Sequence, residues 1–250
     1  MEGKNYDPRE KLIVALDTSD EERLKYLVEK LDENVIYYKV GLEQYLSSRG
    51  KVLDYLRNKN KMVFLDLKFH DIPNTMAAAA RVAVSEGVWM FNIHVTGISG
   101  MKMVLEAAKD EAEKQGIKKP LIIGVTVLTS LDADDLRQLG IEYTPAETVL
   151  KKAVLAEKAG LDGVVSSARE AKAIKESCSN SFVTVCPGVR PDWASKGDQK
   201  RVMTPGKAFR EGADYLVIGR PITKAEEPEK AVGKILDEMK VNIKSLEISK

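Results

Sequence analysis

Apolar runs recur along the chain at intervals of a few tens of residues, at 12–17, 35–41, 62–68, 89–95, 121–128, 162–165, 182–186 and 215–219. They are near-continuous rather than alternating, which suits strands of a parallel sheet buried on both faces. Helical segments fill the gaps. Thr18-Ser19-Asp20-Glu21-Glu22 starts one with acids in its first turn, running to about Leu31. Others are predicted between 43 and 58, over the alanine-rich 74–84 with Pro73 in its first turn, and over 99–115. Thr144-Pro145 opens a further helix that Gly160 closes, and another starts near Ala168 and fades at Cys178. A short helix follows at 206–211, and the last runs from about Glu227 to Met239. Residues 1–10 read as a short extension and about 241–250 as a tail without clear signal. The polar stretch 131–143 and the Gly- and Pro-rich 187–205 lack a hydrophobic period, and the second has the character of a lid. Eight strands alternating with helices over about 230 residues predict a single-domain α/β protein, a (β/α)8 TIM barrel. A doubly wound open sheet is the alternative, but no GxGxxG follows the first strand.

Composition narrows the function. The chain has 250 residues, 44% hydrophobic and 31% charged, enough for a substantial core. A net charge of +1 provides no general field for nucleic acid or an acidic membrane, so anion binding must be local. The first residues carry no apolar signal region and the longest apolar stretch is far too short to span a bilayer, so a cytoplasmic protein is expected. Cys178 and Cys186 form no CxxC and read as buried thiols. His70 and His94 are the only histidines, which excludes a three-histidine zinc site.

The candidate chemistry centres on Asp66-Leu67-Lys68-Phe69-His70-Asp71-Ile72-Pro73-Asn74-Thr75. Side chains two apart on a strand face the same way, so Asp66 and Lys68 share a face and Asp71 follows on the turn. Unpaired charges at the mouth of a buried strand cost several kcal/mol, so the cluster is either an ion-pair network or a site that needs a fixed field. Asp17, Lys39, Asp66, Lys68, Asn92, His94, Thr129, Arg190 and Arg220 all fall at or just beyond strand C-terminal ends, where barrel enzymes build their sites. The strand starts show no comparable set, which favours a site. Pro187-Gly188-Val189-Arg190-Pro191 and Gly219-Arg220-Pro221-Ile222-Thr223 follow strands seven and eight, the usual place of a phosphate pocket. There Gly219 admits backbone close to an anion and Arg220 offers a bidentate contact. No GxSxG elbow, HExxH or Walker loop competes. Cys186 reads as a packed thiol, His94 as a structural hydrogen-bonding residue, and Met101 and Met103 as helix core.

With these motifs the sequence resembles the bacterial form of the orotidine 5′-phosphate decarboxylase family, which completes de novo UMP synthesis. The match is an ordered set: Ala15-Leu16-Asp17, Tyr38-Lys39-Val40-Gly41, the run from Asp66 to Thr75, Val127-Leu128-Thr129-Ser130, the two loops after strands seven and eight, and Gly197-Asp198-Gln199-Lys200-Arg201-Val202. The resemblance implies Lys68 as proton donor within a Lys39, Asp66, Lys68, Asp71 array. It implies a homodimer with sites at the interface, Asp71 coming from the partner chain. Asp17 and Lys39 would hold the ribose side, Thr129 the pyrimidine, and Arg190, Gln199, Gly219 and Arg220 the phosphate under the lid, with Thr75 a further substrate-binding residue. One departure is His94-Val95-Thr96-Gly97-Ile98-Ser99-Gly100, where the family carries a tighter His-Ala-x-Gly-Gly.

The chemistry suits these residues. Losing CO2 from C6 of the pyrimidine leaves an in-plane anion that the ring cannot delocalise, so a cation must stand where the charge develops. The neighbouring acids favour a charged Lys68. The scheme needs no cofactor and no metal. Two rivals remain: a Mg2+-dependent sugar-phosphate decarboxylase or aldolase of the same suprafamily, which shares the DxKxxD pattern, and a non-catalytic barrel that binds a phosphate ligand.

Overall fold

The computed structural model describes residues 7–194 and 203–248, with side chains described to residue 240. Eight parallel strands close a barrel in sequence order: β1 Leu12–Ala15, β2 Tyr37–Gly41, β3 Met62–Phe69, β4 Met90–His94, β5 Leu121–Val125, β6 Gly163–Val165, β7 Val183–Pro187 and β8 Tyr215–Ile218. Closure comes from β1, which pairs with β2 on one side and with β8 on the other, Leu12 opposite Leu216. The sheet therefore has no edge, and the open doubly wound alternative falls.

Strand residues alternate between two apolar layers. Ile13, Ala15, Phe64, Met90, Ile123, Val185 and Val217 fill the barrel interior. Leu12, Val14, Val40, Phe91, Val164, Leu216 and Ile218 face outward into the larger core under the helices. At the strand starts Tyr37, Trp89 and Tyr215 close the barrel mouth, with Trp89 at 4.2 Å from Tyr37 and 5.2 Å from Tyr215 between ring centroids.

The helices that matter for the site are α1 Pro73–Ser85, α2 Pro145–Ala159, α3 Ala171–Ser177, α4 Pro205–Arg210, α5 Arg220–Thr223 and α6 Pro228–Ile248. Thr144 and Gly160 cap α2 as its sequence predicts, the first through a capping box with Glu147 and the second in the left-handed region at φ 97°. Two elements exceed the expectation. The polar stretch 131–143 holds a helix at Ala133–Gln138, started by a capping box between Asp132 and Asp135. The last helix continues past Met239 to Ile248. Of the lid stretch, the described ends are joined: the Arg190 amide donates to the Met203 carbonyl at 2.9 Å.

The charge that does stand at the strand starts joins strands to one another. Asp162, just before β6, accepts from the Ile122 amide at 2.8 Å and from Lys119 at 2.7 Å. Asp214, just before β8, accepts from the Thr184 amide at 2.7 Å and pairs with Lys175 of α3 at 2.6 Å. Each carboxylate ties the start of one strand to its neighbour.

Candidate active site

The site is organised by an irregularity in β3. Leu65 stands opposite Phe91 of β4 and Phe69 opposite Ile93, so three residues, Asp66 to Lys68, face the single residue Asn92. Such a bulge bends the strand and re-aims its side chains. Lys68 takes up the excess with φ at +51°, a left-handed conformation that costs an L-residue about 1–2 kcal/mol. Asp66 and Lys68 do end on one side, but through this bulge rather than through regular pleating.

Asn92 fills the gap that the bulge opens. Its Oδ1 accepts the Lys68 amide at 2.8 Å and its Nδ2 donates to Asp66 Oδ1 at 2.6 Å. Lys68 Nζ donates to the same Asp66 oxygen at 2.7 Å. Asp66 Oδ2 lies 3.3 Å from Lys39 Nζ, which in turn donates to Asp17 Oδ1 at 2.9 Å. The result is a line of alternating charge, Asp17, Lys39, Asp66, Lys68, contributed by three neighbouring strands or the loops that follow them. Lys39 and Asp66 are its buried middle, their side chains 11% and 13% exposed, whereas Asp17 and Lys68 open to the cavity at 55% and 31%. Gly41 keeps the middle clear, since a Cβ there would come 3.1 Å from Lys39 Nζ and 3.4 Å from Asp17 Oδ1.

Burial disfavours the Lys39 ammonium, but the carboxylates of Asp66 and Asp17 outweigh it and hold this lysine above its ordinary range. His94 goes the other way. Burial, reinforced by the charges of His70, Lys152 and Lys68, brings it down to about 4, so its ring is neutral at pH 7 and stacks on His70 with centroids 4.8 Å apart. Cys186 is fully buried and pushed up to about 12, a packed thiol as expected.

Two compartments open over this line. One, of about 180 Å3, is lined by Asp17, Lys39, the Gly188 to Arg190 loop and Gly219 to Pro221. Lys39 carries over into the other, of about 150 Å3, where Asp66, Lys68 and Thr129 meet apolar walls from Phe64, Val125, Val165 and Val185. Pro187 and Val217 also belong to both, so the cavity is continuous. Asp17, Lys39, Asp66, Lys68, Thr129, Arg190, Gly219 and Arg220 are thus brought together as anticipated. Asp71 and Thr75 are not, within one chain. Both are exposed, and the Asp71 carboxylate accepts from the neighbouring Ile72 amide at 2.7 Å. Gln199 lies outside the described residues.

Sequence reasoning passed over two contributors. Asn92 was noted only as one polar residue at a strand end. A signal existed, because an amide inside Met90-Phe91-Asn92-Ile93 is buried among apolar residues, here 1% exposed, and must have partners. The walls of Phe64 and the valines carried no signal, being ordinary barrel interior.

A TIM barrel with a basic-rimmed loop pocket at one end of its cavity and a fixed ammonium in an apolar slot at the other has the room and the charge to take an elongated ligand with an anionic end. The chain belongs to the orotidine 5′-phosphate decarboxylase / HUMPS family, whose model matches residues 10–235. It is 49% identical over 232 residues to an orotidine 5′-phosphate decarboxylase of Nostoc sp., covering 92% of this chain and 97% of that one. Among solved structures it resembles an orotidine 5′-phosphate decarboxylase from Lactobacillus acidophilus, with TM-score 0.78, 34% identity, and 92% and 99% of the two chains covered. A conserved uncharacterized protein from Geobacillus kaustophilus superposes with TM-score 0.80 at 35% identity, covering 91% and 99%.

Proposed function

We propose that the chain converts orotidine 5′-phosphate to UMP and CO2 without a cofactor, Lys68 delivering the proton to C6. The observation that carries this reading is the Lys68 ammonium held by Asp66 at 2.7 Å inside an apolar slot, while the loop pocket with Arg190 and Arg220 lies in the same cavity. The C6–carboxylate bond breaks with its electron pair left on C6, and a proton leaves Lys68 Nζ for that carbon. The amine then regains a proton from water. An ammonium already fixed where the negative charge develops needs no reorganisation, which is the largest usual source of catalysis. Low-polarity walls strengthen that field. Phosphate bound by Arg190, Gly219 and Arg220, with Gln199 as a further partner, anchors the nucleotide far from C6, so remote binding energy is spent on orientation. Asp17 and Lys39 take the ribose hydroxyls, and Thr129 the pyrimidine edge.

The working unit in this reading is a homodimer in the cytoplasm. Asp71 and Thr75, exposed on one chain beside the 66% exposed Ile72, reach the partner's cavity and complete the array. Closed twofold symmetry makes the exchange reciprocal. The Mg2+-dependent sugar-phosphate alternative fits less well. Asp66 is engaged by Lys68, Asn92 and Lys39, so a divalent cation bound to it would stand against two ammonium groups.

The test follows loss of orotidylate absorbance with purified protein, in EDTA, for wild type and Lys68→Ala. EDTA-resistant turnover by wild type and its loss in the folded variant are expected; a Lys68→Ala enzyme at wild-type rate would overturn the reading. Mixing two inactive variants, Lys68→Ala and Asp71→Ala, should restore about a quarter of wild-type activity, since half the dimers are then mixed and each has one intact site. No recovery despite subunit exchange would refute the shared site.

A further inference from the structure

We propose that Asn92 is a positioning residue that aims the Lys68 ammonium, an inference that rests on Lys68 being the proton donor. Asn92 does not line the cavity and is 1% exposed, so it acts through other groups. It holds Lys68 at both ends. At the root, Oδ1 accepts the Lys68 amide at 2.8 Å and fixes a backbone at φ +51° that regular pairing with β4 would not produce. At the tip, Nδ2 donates at 2.6 Å to Asp66 Oδ1, the oxygen that receives Lys68 Nζ at 2.7 Å.

A lysine has four rotatable side-chain bonds, and an ammonium on so flexible a stem is poorly directed unless its base and its partner are both set. One buried amide sets both, and the side-chain chemistry is specific. A leucine would leave the Lys68 amide and one Asp66 site unmet. An aspartate would put a second carboxylate against Asp66. The rival role is purely structural, with Asn92 doing no more than satisfying a bulge amide. The two differ in kinetics: a positioning loss falls on the chemical step, whereas a loosened barrel weakens nucleotide binding as well.

The experiment compares wild type, Asn92→Ala, Asn92→Ser and Lys68→Ala for kcat, KM and UMP affinity, with circular dichroism and thermal melting as fold checks. Asn92→Ala should lose about 10²-fold or more in kcat, the scale of a 1 Å misplacement, with KM and UMP affinity within about threefold. Asn92→Ser, whose hydroxyl can serve one of the two partners, should recover about tenfold of that loss. Asn92→Ala within about threefold of wild-type kcat overturns the proposal, as does a loss of UMP affinity parallel to kcat. If Asn92→Ala does not fold, Asn92→Ser decides by the same split, and failure of both to fold assigns the residue to the fold alone. Turnover retained in Lys68→Ala would instead sink the proton-donor reading, whereas an inactive Lys68→Ala beside a wild-type-like Asn92→Ala sinks only the positioning role.

Discussion

The two ends of the barrel use the same charges differently. At the strand starts, Asp162 and Asp214 each accept a backbone amide from the neighbouring strand and one lysine, beside the plug of Tyr37, Trp89 and Tyr215. At the strand ends, Asp66 accepts from the side chains of Lys68, Asn92 and Lys39. A carboxylate joined to backbone acts as a staple between strands. A carboxylate joined to ammonium groups under an open cavity fixes a field instead, and the line from Asp17 to Lys68 points that field at whatever enters.

The sharpest way to break this contrast is at the open end. Lys68→Ala should lower kcat by about 10³-fold or more, combining lost proton transfer with lost charge stabilisation. Its stability should change by less than about 1 kcal/mol, because the side chain is partly exposed and Asp66 keeps Lys39. A large melting shift with modest kinetic loss would place Lys68 among the staples. The closed end should answer in reverse. Asp214→Ala strips the Thr184 amide of its acceptor and Lys175 of its ion pair and should cost about 2–3 kcal/mol, read as a lower urea midpoint at unchanged slope. Its kcat should stay within about twofold of wild type, as neither residue touches the cavity.

The smallest effect sharpens what the open end costs in stability. His94 sits at about 4 in the fold against an ordinary 6.5, so between these values the unfolded chain binds a proton that the folded chain does not. Stability is then full above pH 6.5 and declines as pH falls toward 4. The ring is half-buried among His70, Lys152, Lys68 and Asp66, and solvent screening reduces the effect to on the order of 1 kcal/mol. Urea unfolding of wild type and His94→Asn at pH 7 and pH 5 checks it: the gap in favour of wild type should narrow at pH 5, and an unchanged gap would dismiss the account.

All eight strands were legible because interior and exterior faces of a closed parallel barrel are both apolar, which leaves uninterrupted runs such as Leu12 to Leu16. Their ends were less so. Leu16 is buried yet lies beyond β1, since pairing rather than hydropathy stops a strand. The helix at Ala133–Gln138 went unread because six residues with one buried side chain, Leu136, present no period. Most of the site was legible as residue types at strand ends, and its geometry was not. Nothing in Asp66-Leu67-Lys68 announces a bulge, because the residue that adopts positive φ is a lysine rather than a glycine.

Closure of the barrel has a bearing on synthesis. β1 and the Asp17 that follows it emerge first, yet the second neighbour of β1 is β8, and Asp17 meets the loop holding Gly219 and Arg220 in one compartment. A ribosome-bound chain that has exposed everything up to β7 has only part of the compartment's lining and an unpaired edge on β1. Such a nascent chain lacks the second wall of that compartment, and its open edge is the place where a chaperone would have most to protect.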